Sequence, residues 1–357
     1  MNKAELERRI HEGETLVHVS LAGGAYRGAN LGGAVMEGVD FTGANFTGAS
    51  FNEGVFFGCT FDGAMFEGAE FHKTIFDGCS LKGVRARGAR MATIQTNKAD
   101  LTQADLEGVD LNLGILTEPK LDGANLRSAN LERCLLLKAS MMGTDLRGAN
   151  LESAVMMETD LRQTALEGAR FLRTVMSKSI FAGRSFARQA FPMCQFAEAD
   201  LTGCDLQGAD VSGAGFGGAV LDRARLDGAN FTQTVCQGAR FAGASARGTN
   251  FSNAIMIGAD LTRADFTGAR LYQAIGTELK AQEARLVNSD LTYADLSHAI
   301  LDGADLSGAT VFRTNFHRAA EEGAQVPSRR AALRPDADRA TAEDWHARWP
   351  VQPEAPR

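Results

Sequence analysis

Carboxylates stand in evenly spaced rows along this chain: Asp100, Asp105 and Asp110 form one row, and Asp200, Asp205 and Asp210 another. Six cysteines (Cys59, Cys79, Cys134, Cys194, Cys204, Cys236) and six histidines (His11, His18, His72, His298, His317, His346) add further reactive groups. Paired carboxylates can act as general acid and base, and thiolates or imidazoles can bind zinc. The spacing speaks against each chemistry. No CxxC pair occurs, the histidines are scattered, and no glycine-rich phosphate loop is present. The carboxylates recur in steps of five, which is the signature of an architecture and not of an active site.

One rule places all of them. From residue 21 to residue 316 every fifth residue is large and apolar in 54 of 60 cases, without insertion or deletion. The series begins Leu21, Tyr26, Leu31, Met36 and ends Leu301, Leu306, Val311, Phe316, and it holds 19 of the 21 Phe, so chance is excluded. The residue two before is usually small, Asp or Asn often stands one before, and Gly often stands two after. A period of five fits neither a helix nor a strand. It marks a solenoid, in which one unit cannot bury its apolar side without stacked neighbours. Five of the cysteines take the small inward position and Cys236 the large one, so they read as small hydrophobes. Unpaired thiols fit a reducing cytosol. The Asp rows fill the polar position of the unit, where turn chemistry accounts for them. The reading expects no enzyme activity, no cofactor and no metal.

The units Ala44-Asn45-Phe46-Thr47-Gly48, Ala199-Asp200-Leu201-Thr202-Gly203 and Ala304-Asp305-Leu306-Ser307-Gly308 resemble the pentapeptide-repeat proteins. The resemblance implies an all-β fold, a right-handed quadrilateral parallel β-helix with four pentapeptides to a coil. It covers residues 21–316, or 296 of 357 (316 − 21 + 1). Sixty units make about 15 coils and a rod about 70 Å long, at roughly 4.8 Å per coil.

Three segments are expected. Residues 1–20 form an N-terminal cap with a helix over 2–12: Asn2 is its N-cap, Glu5 the capping-box partner, Leu6 and Ile10 one apolar face, and Gly13 the stop. Residues 21–316 are the β-helix. Residues 317–357 hold five of the seven Pro and both Trp, and read as an irregular, partly disordered tail with a helical piece near 340–348 begun by Thr341. Trp345 and Trp349 either cap the rod or form a docking peptide. Within the rod, Ala86, Ile94, Thr96, Pro119, Arg184, Gln189, Gly276, Leu279 and Ala281 break the motif in phase and predict bends or local widening. The net charge is −7; residues 1–20 carry −1 and 317–357 sum to zero, leaving −6 on the rod (−7 + 1 − 0). That balance gives no electrostatic hold on nucleic acid. The opening has no apolar run of signal-peptide or membrane length, so a cytoplasmic protein without membrane contact is expected.

One of the four sides differs from the rest. The residue before its large positions is Val35, Val55, Ile75, Ile115, Leu135, Val155, Val175, Val235, Ile255 or Ile275 in ten of 15 coils, against three, none and none on the other sides. The following position adds Phe57, Leu137, Met157 and Ile257. β-branched residues suit a parallel ladder, but that does not explain the confinement to one side. An apolar ribbon of this length exceeds what monomers usually expose and predicts a protein partner or a homodimer. The expected function is a non-enzymatic scaffold or adaptor, and the opening is similar to accessory proteins of bacterial secretion machinery. The family resemblance also implies an alternative: an acidic DNA mimic acting on a type II topoisomerase, as in quinolone resistance. A secreted effector is a third reading.

Overall fold

A five-residue unit cannot satisfy its own backbone, and it exports its hydrogen bonds to the coils on either side. In a computed structural model, which describes residues 1–334 and 336–344, the Leu21 amide donates to the Asp40 carbonyl at 2.7 Å and Gly23 to Thr42 at 2.8 Å. The Ala44 amide stays within its unit and donates to Phe41, while Asp40 donates back to Val19. The remaining amide, just after the large residue, goes to a side chain: Thr42 N–H donates to Asp40 Oδ1 at 2.9 Å. All five amides of a unit are thereby engaged, as a largely buried backbone requires. The position two after the large residue takes positive φ, as at Gly43 (φ 66) and Lys73 (φ 55), which is why Gly recurs there.

The result is a parallel β-solenoid with a step of 20 residues, paired from Ser20↔Asp40 to Asp305↔Gln325. On one side the pairing widens into short strands, β1 (Leu16–Val17), β2 (Val35–Glu37), β3 (Val55–Phe57), β4 (Ile75–Asp77), β5 (Gln95–Asn97), β6 (Ile115–Thr117), β7 (Leu135–Leu137) and β8 (Val155–Met157). They form one sheet in sequence order. The strands by themselves mark about seven turns, and single bridges carry the 20-residue step through the rest of the solenoid. Beyond Met157 tight turns replace the extended residues, and the same side goes on by single bridges such as Val235↔Ile255. Pairing also runs past residue 316, to Ala320 and Gln325. Backbone bonds need no large side chain, so they outlast the sequence pattern.

The axis is filled by the large residues. Phe41 stacks on Phe61 at 5.0 Å between centroids, Phe51 on Phe71 at 4.8 Å, and Phe196 on Phe216 at 5.0 Å. All six cysteines are free and buried, and burial pushes Cys134 and Cys236 up to about 12. The irregular positions leave distinct traces. Thr96 under-fills the axis beside a void of about 20 Å³ that Ile94 also lines, and Thr96 Oγ1 is buried without a partner, while Ala86 is buried. Near the other end Leu296 and Leu279, the latter at a small position, close in on Gly276; both Leu279 and Ala281 are buried.

Arg184 and Gln189 mark a joint. Here the bridges 165–185 and 170–190 are missing among the described residues, and so is 140–160 one coil earlier. The Arg184 guanidinium donates to the carbonyls of Leu161 (2.7 Å) and Thr164, and so takes an acceptor that the Ser185 amide would otherwise use. Burial lowers the Arg184 pKa from the arginine norm. Beside the missing 170–190 bridge lies an open cleft of about 300 Å³, against Phe171 and Pro192.

Both ends are covered. Helix α1 (Lys3–His11) starts at Asn2, whose side chain accepts from the Glu5 amide. The Glu5 side chain does not close the box; it turns to Arg8 at 3.0 Å. Gly13 (φ 76) donates to Ile10 and Glu14 to Arg9, a Schellman stop. Leu6 is fully buried, and Glu7 accepts from the Asn30 amide, which has no earlier coil to serve it. At the far end Arg329 lies 4.5 Å over the Phe316 ring, and Leu333 N–H donates to Thr314. Helix α2 (Ala337–Glu343) begins earlier than expected, at an Asp336 cap. Thr341 sits inside it, bonded to the Ala337 carbonyl. Asp336 wins because its carboxylate reaches the Arg339 amide at the free first turn. Trp345 and Trp349 lie outside the described residues.

Candidate interaction surface

The outward residues on the strand side form a continuous ladder. Val35 pairs with Val55, Val55 with Ile75, Ile115 with Leu135, Leu135 with Val155, and Val155 with Val175. Further on Val235 pairs with Ile255, and Ile255 with Ile275. In each strand the middle residue is buried and its neighbours face out: Val35 is 41% exposed, Phe57 44%, Ile115 39%. Leu135, Leu137, Val155, Met157, Val175, Ile255 and Ile257 are half-buried by their neighbours, while Val235 and Ile275 stand exposed. Gln95, and then Gln195 with Gly215, interrupt the ladder and divide it into three apolar blocks. Val17, 46% exposed in β1, adds an outward apolar residue beside Glu37; its signal in the sequence is Leu16, one 20-residue step before Met36.

A column of alternating charge flanks the middle block. Lys98, Glu118, Lys138, Glu158, Lys178 and Glu198 occupy the positive-φ position of successive coils. Lys138 lies 4.0 Å from Glu158, and Lys178 lies 3.8 Å from Glu198. These pairs are largely solvent-exposed and contribute little to stability. They do set the edge of the ribbon.

The other sides are polar and largely self-satisfied. Asn125 donates to Asp105 (3.0 Å) and Asn130 to Asp110 (2.9 Å) in the preceding coil, while Asp100, Asp200, Asp205 and Asp210 each accept an amide of their own turn. The Thr42 hydroxyl and amide hold Asp40 below the usual carboxylate range. Arg225 meets Asp205 at 3.5 Å, Arg240 meets Asp222 at 2.5 Å, and Arg270 meets Asp290 at 3.8 Å. The carboxylate rows are therefore interleaved with cations, not arranged as one acidic face.

A cluster that sequence reading passed over joins His298, His317 and Glu343. The two Nε2 atoms lie 3.3 and 3.1 Å from the two oxygens of Glu343. No periodic signal could show it, because α2 lies outside the repeat. Two imidazoles and a carboxylate are a possible metal donor set. Arg339 (2.8 Å) and Arg318 (3.3 Å) already answer that carboxylate. Burial works against its charge, but hydrogen bonds from His317, Arg339 and His298 outweigh it and bring Glu343 down to about 2. The arrangement fastens α2 to the last coils. Among the described residues no helix is long and apolar enough to cross a membrane.

The family profile described as pentapeptide repeats matches in eight copies, over residues 27–56, 55–91, 120–156, 194–235, 234–273 and 280–318. No curated protein sequence matches the chain. Among solved structures, HetL is a pentapeptide repeat protein involved in heterocyst differentiation regulation in the cyanobacterium Nostoc sp. strain PCC 7120. It is 23% identical over 88% of this chain and 96% of its own, with a TM-score of 0.20. QnrB1, a plasmid-mediated fluoroquinolone resistance protein, is 17% identical over 56% of this chain and 91% of its own, with a TM-score of 0.26. A thylakoid-lumen pentapeptide repeat protein of Arabidopsis thaliana is 22% identical over 30% of this chain and 72% of its own, with a TM-score of 0.22.

Proposed function

We propose that this chain, which belongs to the pentapeptide-repeat family, is a non-enzymatic scaffold that binds protein along its apolar ribbon. The observation that carries this reading is the outward ladder of Val, Ile and Leu on one side alone, with its members half-buried to exposed. Covering such groups gains about 25 cal/mol per Å², and among the described residues nothing covers the ribbon. DNA mimicry has weaker support, since Arg225, Arg240 and Arg270 neutralise the carboxylates beside them.

The test is the triple variant Leu135→Asn, Val155→Asn, Val175→Asn, which gives these positions the polar residue usual on other sides. Its melting temperature should stay close to that of the parent, while light scattering and chemical crosslinking should show lost association. A variant that retains every association of the parent would remove the ribbon from the function.

A further inference from the structure

From the register of the ribbon we infer that its occupant is a second copy of this chain, packed face to face and antiparallel. The two-fold axis lies in the plane of the face and crosses the rod between the coils of Leu135 and Val155. This rests on the reading of the ribbon as a binding face and names its partner. Such an axis reverses the order of coils and keeps each column opposite itself. Leu135 then faces Val155 of the second copy, and Ile115 faces Val175. In the column of the ladder the polar interruptions also coincide, with Gln95 opposite Gln195. In the charged column Lys138 meets Glu158, Glu118 meets Lys178, and Lys98 meets Glu198. Every one of these pairs is opposite in sign. All of the positions belong to the two columns established above.

No neighbouring position of the axis does this. Shifted one coil toward the N-terminus, it would set Gln95 against Val155; shifted one coil the other way, it would set Leu135 against Gln195. The alternating charges alone would tolerate either of these shifts, and the two glutamines forbid them. An isologous interface needs a surface that is complementary to itself, and alternating signs along a rod supply this only in the antiparallel sense. The overlap from Val35 to Ile255 is eleven steps of 20 residues (255 − 35 = 220), about 53 Å at roughly 4.8 Å per coil. A side about 10 Å across, the span of three extended residues in the first stretch, gives about 500 Å² per copy and about 1,000 Å² in total. That falls below the roughly 1,200 Å² from which stable specific interfaces run and in the range of weak, transient ones, so a reversible dimer with micromolar dissociation is expected.

Glu118 and Lys178 lie three coils apart in one chain, about 14 Å at roughly 4.8 Å per coil, so a rescue between them reports on the second copy alone. Glu118→Lys should weaken the dimer about tenfold, since one like-charge contact, repeated twice by symmetry, opposes docking. Adding Lys178→Glu should restore it. A second measurement fixes the register: Thr117→Cys with Ser177→Cys should give a covalent dimer with a short bis-maleimide, and neither single variant should. A parent that stays monomeric in light scattering at every concentration overturns the proposal, yet leaves the scaffold reading to its own triple variant. A dimer that Glu118→Lys leaves intact, or that Lys178→Glu fails to rescue, also overturns it.

Discussion

The stretch from Leu16 to Met157 and the stretch from Val175 to Asn315 share one axis, one 20-residue step and one hydrogen-bond scheme, yet their backbones differ on the ribbon side. In the first stretch that side is extended over three residues per coil; in the second it is a tight turn with a single bridge. The residue after the buried one does not by itself tell them apart, since Glu37, Asp77, Asn97 and Thr117 stand there in the first stretch and Ile257 in the second. It is Val17, Phe57, Leu137 or Met157 in several coils of the first stretch, and Ser177, Ala197, Gly217 or Gln237 in the second. The solenoid therefore fixes where the chain must go and leaves each side to choose how. The core differs too. Phe61 has Phe41, Phe76, Phe56 and Phe66 within 5.7 Å, whereas the nearest aromatic to Phe241 is Phe251 at 6.0 Å.

The largest effect expected is in that core. Phe61→Asp should abolish folding of the first stretch, because it buries a charge and deletes a ring together. Phe61→Ala should cost near the top of the roughly 3–5 kcal/mol range for such truncations and Phe241→Ala near the bottom. Equal melting losses for the two alanine variants would show that aromatic stacking does not separate the stretches.

Acid comes next. Hydrogen bonds from the Thr42 hydroxyl and amide lower Asp40, a bond from Arg147 lowers Asp145, and the Ser307 hydroxyl and amide lower Asp305. Each folded pKa lies below the unfolded value of about 4. Their contribution is thus complete above about pH 4 and lost as pH falls through the folded values. Both stretches carry such groups, so hydrogen exchange should show them loosening together. Separate acid transitions would mean that one stretch relies on the carboxylates more than the other.

The joint between the stretches gives a smaller change of opposite sign. Arg184→Ala with Gln189→Ala places the common small residue at both positions and frees the Thr164 carbonyl for the Ser185 amide. It also deletes Gln189 Nε2, which is buried without a partner. Stability should rise by about 1 kcal/mol, and exchange at Ser185 should slow. A drop in melting temperature would show that the guanidinium holds the joint together. The smallest change is Leu137→Ser, which gives a first-stretch coil the residue found at Ser177. It should alter stability by no more than about 0.5 kcal/mol, and a larger loss would mean that the extended conformation itself stabilises the sheet.

Much of this was legible in the residues, for a definite reason. In a solenoid each side chain meets its counterparts 20 residues away, so counting in fives and twenties assigns an inward or outward position to Phe61, Cys134 or Val155 without any knowledge of shape. The columns of the ribbon follow from the same count. What escaped it is what does not repeat. The sequence marked Arg184 as misplaced but could not say that it takes the carbonyls of Leu161 and Thr164 and leaves the ladder open beside it. Nor could it show that Glu343 reaches across 26 and 45 residues to His317 and His298, because α2 follows no period. Periodic contacts are set by chain position alone, so sequence determines them; contacts at the joint and the C-terminal end depend on how particular side chains fill a space that only the assembled coils create.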